Sequence, residues 1–169
     1  MALQRHAALA PFSRDHHLAL QLARAIQIGG SRHLRDGLPR DRAALVAHVR
    51  RVFAEELEPH FGAEETVLLP AVAGRSEALD ALARAIVAEH VQMRAALDAL
   101  TDREASAAAV DALLDALGRQ LEAHVRKEER ELYEQIQAVL DEPALARISL
   151  RVERHLGARK PGAPFTPTA

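Results

Sequence analysis

Apolar residues recur at helical spacing along most of the chain, and no stretch alternates as a half-buried strand would. Leu9, Phe12, His16, Leu20, Ala23 and Ile26 or Gln27 make one face of a first helix. It is predicted from an N-cap at Ser13 to about Ile28, where Gly29-Gly30 stops it. Residues 29–40 hold three Gly and one Pro and read as a loop that exposes His33. A second helix is predicted from near Asp41 to just before Pro70. Its inner stripe is Val49, Phe53, Leu57, His60, Glu64 and Val67 or Leu68. The third runs from about Ser76 to Leu100 on Ile86, Val87, His90, Met93, Leu97 and Leu100. Thr101-Asp102-Arg103-Glu104 has capping-box spacing and is expected to open the next segment. The fourth helix extends to about Leu140, with Val110, Leu113 or Leu114, Leu117, Leu121, His124, Glu128 and Leu132 or Gln135 inward. Asp141-Glu142-Pro143 starts a short fifth helix ending at Gly157. The pattern predicts one all-α domain over 1–157, an antiparallel up-down four-helix bundle with an added C-terminal helix. Residues 158–169 hold three Pro and no amphipathic period, and are expected to be a disordered tail.

Two residues break the rules of the second helix. An interior proline costs about 3 kcal/mol and leaves the carbonyl four residues back without a partner. Glycine costs up to about 1 kcal/mol against alanine. Pro59 and Gly62 therefore predict a kink beside His60.

One phrase occurs twice. Leu-Glu-x-His-x-x-x-Glu-Glu-x-x-Leu spans 57–68 and returns at 121–132. About one His-x-x-x-Glu pair is expected by chance in such a chain, but not two in a shared frame. Residues four apart lie on one helical face, so each phrase aims an imidazole and a carboxylate at one point. The helix before each phrase adds an inward histidine preceded by an acid, Asp15-His16 and Glu89-His90. His16, His60, Glu64, His90, His124 and Glu128 would share one interior. Unpaired imidazoles and carboxylates are costly to bury, and a cation stabilises all six. His17 and His48 fall off the inward faces. Glu56 and Gln120, one turn before His60 and His124, are candidates to hydrogen-bond a ligand or are boundary polar residues. Glu65 and Glu129 lie about 100° off the ligand face and are expected at the surface.

Composition narrows the rest. The formal charge of −2 gives no sign of nucleic-acid binding. There is no cysteine, which excludes disulfides and thiolate ligands. No apolar run approaches a membrane span and no secretory segment opens the chain, so a cytoplasmic protein is expected.

With these motifs the chain resembles the hemerythrin-like proteins of the His-His-Glu cation-binding type. The resemblance covers roughly 12–140, from Phe12-Ser13-Arg14-Asp15-His16-His17 to His124-Val125-Arg126-Lys127-Glu128-Glu129. It implies two non-haem iron ions with an oxo or hydroxo bridge. His16 and His60 would ligate one iron, His90 and His124 the other, and Glu64 and Glu128 would bridge them. Oxygen-carrying members have a further histidine where this chain has Arg94, and their fourth-helix bridging carboxylate is an aspartate at a longer spacing, whereas here it is Glu128, four residues after His124. The resemblance thus points to the symmetric bacterial branch, with oxygen, nitric oxide or peroxide as the small-molecule partner in sensing or iron handling. Two other readings stay open: a di-iron enzyme (a peroxidase or nitric oxide reductase) and a structural bundle with incidental zinc. No dedicated acid or base stands outside the candidate ligands, which disfavours an enzyme.

Overall fold

The computed structural model describes residues 5–27, 37–102 and 104–156, and among them the secondary structure is entirely helical. The described residues form five helices: α1, Ala10–Ile26; α2, 42–72; α3, Glu77–Ala99; α4, 107–139; and α5, Glu142–Leu156. The expected Gly29-Gly30 stop, His33 and the tail from Ala158 lie outside the described residues.

Short polar side chains set most helix starts. Asp41, Ser76, Ser106 and Asp141 each accept the backbone N–H three residues on, at 2.8–3.2 Å. The start of α4 corrects the expected capping box. Thr101 turns its hydroxyl back to the Asp98 carbonyl, and Ser106 caps the helix. Ser13 is not a cap either. Pro11 occupies the first turn of α1, where its missing N–H costs nothing, so the helix begins at Ala10. Gly74, at φ +75°, turns the chain between α2 and α3.

α2 does not stop before Pro70. Two wider π turns, Phe53–Leu57 and Glu64–Leu68, interrupt its α-helical stretches. In these turns Glu58 N–H donates to the Phe53 carbonyl and Leu69 N–H to the Glu64 carbonyl, five residues back. Pro59 and Pro70 each follow directly. The wide turn accommodates a ring that would otherwise press on the carbonyl four residues back, so both prolines stay inside the helix. α4 carries a third π turn at Glu128–Leu132, without a proline.

The apolar core is in two parts. One joins α1, α2 and α4 with Met93 of α3 through Ala19, Ala23, Val49, Phe53, Phe61, Leu117 and Leu121. The other joins Phe12, Val67, Leu68, Leu132, Tyr133 and Ile136 to Leu145, Ile148 and Val152 of α5. α1 packs along α4, α3 packs on α4, and α5 lies across 58–68 of α2. α1 and α4 approach closely at Gly118, where a Cβ would stand 2.6 Å from the Ala23 carbonyl oxygen. Three expected stripe positions shift outward: Val87 is exposed, and Leu20 and Leu97 are only half-buried. None of the described helices is long and apolar enough to cross a membrane.

Candidate metal centre

Between the two apolar clusters lies a layer of buried histidine and glutamate. α1 supplies His16, α2 His60 and Glu64, α3 His90, and α4 His124 and Glu128. None of the six is more than 3% exposed. They form two overlapping groups, His16, His60, Glu64 and Glu128, and Glu64, His90, His124 and Glu128, whose ligand atoms lie within 4.8 Å of one another. The structure thus brings together the six residues expected to face one interior. His17 points out to Gln21, and His48 sits half-buried beside Arg51.

The inner atoms are arranged in pairs. His16 and His60 bring their Nε2 atoms to 3.2 Å, as do His90 and His124. Glu128 reaches both pairs, with Oε2 2.9 Å from His16 Nε2 and Oε1 3.0 Å from His124 Nε2. Glu64 reaches both with one oxygen. Its Oε2 lies 3.7 Å from His60 Nε2 and 3.4 Å from His90 Nε2, while its Oε1 accepts the Tyr133 hydroxyl at 2.7 Å.

Each imidazole is held from behind by an acid. His16 Nδ1 donates to Glu129 at 2.7 Å, His60 Nδ1 to Asp15 at 3.3 Å, His90 Nδ1 to Glu65 at 2.8 Å and His124 Nδ1 to Glu89 at 2.8 Å. Ionised carboxylates only accept, so each Nδ1 carries a proton, and in the neutral ring the lone pair on Nε2 points inward. The pairing crosses between the halves: the second Glu of each repeated phrase holds the histidine contributed by the other half's leading helix. Glu65 and Glu129 are therefore not surface residues as expected. Their partners lie on other helices, which a wheel drawn for one helix does not report. The available signal was the doubled Glu-Glu in both copies of the phrase. Of the two other candidates, Gln120 bonds Gln92 instead, and Glu56 is half-buried on α2.

Arginines and rings complete the surroundings. Arg5 donates to Glu129 at 2.6 Å and lies over the Tyr133 ring, which stacks on His16 at 5.5 Å. Arg94 donates to Glu65 at 2.9 Å and to Glu58, and lies over the Phe61 ring, which stacks on His90 at 3.9 Å.

The charges show what the layer needs. Burial alone would lower the pKa values of His16, His90 and His124, but nearby carboxylates outweigh it. With Glu128 and Glu129 beside it, His16 rises to about 9. His90 rises to about 9 beside Glu128 and Glu64, and His124 to about 10 beside Glu128 and Glu89. Burial would raise the Glu128 carboxyl, yet His124, His16 and His90 hold it well below its usual range. Burial, with Glu64 and Glu128 nearby, keeps the Tyr133 hydroxyl protonated well above its ordinary range. Glu64 Oε2 and both Glu128 carboxylate oxygens are buried without a hydrogen bond of ordinary geometry. In the inward-lone-pair tautomer, imidazole nitrogens and carboxylate oxygens converge with no donor among them, apart from the phenol on Glu64 Oε1. Such a cage requires positive charge, from protons or from metal ions.

A family model described as the hemerythrin HHE cation binding domain matches residues 7–136. Neither the curated proteins nor the solved structures provided a match.

Proposed function

Since the chain belongs to the hemerythrin HHE cation-binding family, we propose that it holds two iron ions inside an antiparallel up-down four-helix bundle and uses them to meet oxygen, nitric oxide or peroxide. Short connections after α2 and α3, and the packing of α1 and α3 on α4, support that topology. His16 and His60 would hold one ion, His90 and His124 the other, with Glu64 and Glu128 shared. The carrying observation is the acceptor cage itself: four imidazole nitrogens and two carboxylates, each imidazole fixed from behind by an acid. Nitrogen and oxygen donors of this kind suit iron, and shared carboxylates suit a pair of ions. Iron, when bound, supplies redox chemistry and affinity for small oxidants.

The chain's own residues do the rest. The outer acids fix the tautomers and aim the rings. Phe61, Tyr133 and the two apolar clusters keep the layer dry. Arg94 stands near the His90 side but has no lone pair to offer a metal. Its guanidinium instead locks Glu58 and Glu65. Anaerobic reconstitution of metal-free protein with ferrous ion is expected to give about two irons per chain and a coloured protein on exposure to air. Failure to take up iron would reject this function.

A further inference from the structure

We propose that Tyr133 makes the two cation positions unequal, so that the His90/His124 position fills first and the His16/His60 position is the labile one. This rests on the two-cation reading above and concerns how that site is loaded. The six inner donors repeat between the halves, but the two carboxylates are not presented alike. Glu128 faces one imidazole pair with Oε2 and the other with Oε1, at 2.9 and 3.0 Å. Glu64 has only Oε2 facing the imidazoles, 3.4 Å from His90 Nε2 and 3.7 Å from His60 Nε2. Its Oε1 is taken by the Tyr133 hydroxyl at 2.7 Å. The same hydroxyl stands 3.4 Å from His16 Nε2, on the His16/His60 side of the layer. A cation there competes with a phenol for the second oxygen of Glu64, whereas the His90/His124 side faces no such competitor. On that side the stacked ring is Phe61, which has no hydroxyl. Tyr133 is thus a positioning residue: it acts through Glu64.

The test is a cobalt(II) titration of metal-free full-length protein, followed by calorimetry and visible absorption. Wild type is expected to bind in two steps of unequal affinity, with His16→Ala removing the weaker step and His90→Ala the tighter. Tyr133→Phe keeps the ring that stacks on His16 and removes only the hydroxyl. It is expected to tighten the second step by about tenfold, on the scale by which outer partners tune metal affinity. Tyr133 is the single tyrosine and the chain has no tryptophan. Ultraviolet-excited emission of wild type therefore reports this residue alone, and its main change should fall in the second step. Two equal steps in wild type would overturn the inference, as would a Tyr133→Phe variant with unchanged affinities or with both steps weakened. Both outcomes leave two-cation binding standing. No cobalt binding at all would overturn the two-cation reading and this inference with it.

Discussion

The His16/His60 half of the layer and the His90/His124 half are built from the same parts, yet they are finished differently. Donors and acids correspond one to one: His16 with His90, His60 with His124, Asp15 with Glu89, Glu129 with Glu65. Even the arginine over a ring recurs. Arg5 on one side and Arg94 on the other reach it from unrelated places in the sequence. The halves part at the ring itself. One has a phenol that donates to Glu64, and the other a phenyl group that donates nothing. Repetition in the sequence accounts for the matched donors, and departure from it for the ring by which the two halves differ.

Removing a shared carboxylate should break the comparison most completely. Glu128→Ala takes an oxygen from both halves. It is expected to abolish the rise in melting temperature that metal gives wild type, about 5–10 °C at a hundredfold excess over Kd. Calorimetry with and without ferrous ion measures it, and a variant that keeps the rise would show that the halves do not share Glu128. The outer acids sharpen the comparison. Glu65→Gln should weaken metal binding at the His90 half about 10–100-fold, and Glu129→Gln should do the same at the His16 half. Two-step metal titrations of the two variants would separate these effects, and identical profiles would refute the pairing.

The metal-free protein should also respond to pH. His16, His90 and His124 rise from 6.5 to about 9, 9 and 10, so their contribution is full below pH 6.5 and is lost as pH climbs through 9 to 10. Glu129 falls from 4.5 to about 2, so its contribution is full above pH 4.5 and is lost as pH drops toward 2. The melting temperature of metal-free protein should therefore peak between about pH 4.5 and 6.5. Metal-loaded protein should show no decline from pH 6.5 to 9, because metal replaces the protons.

The inner layer was legible because helical periodicity within one element reports which face turns inward. His60 and Glu64 share a face whatever the rest of the chain does, and so do His124 and Glu128. The helix starts near Asp41 and Ser76 were legible for a similar local reason. The outer acids were not, since Glu65 and Glu129 act on imidazoles carried by α3 and α1. A proline rule based on the α-helix likewise misplaced the end of α2, because the π turn at Glu64–Leu68 removes the clash on which the rule depends.

Those π turns have a geometric consequence. A turn closed by a five-residue bond holds one residue more than its neighbours, so side chains beyond it are out of phase by about 100°. Leu68 and Leu69 are consequently buried side by side, and so are Leu132 and Tyr133. In α2 and α4 the residues ahead of the Glu64–Leu68 and Glu128–Leu132 turns pack mainly in one apolar cluster, and those within and beyond them in the other. The charged layer lies where the packing changes, like a coupling between two shafts cut with offset teeth.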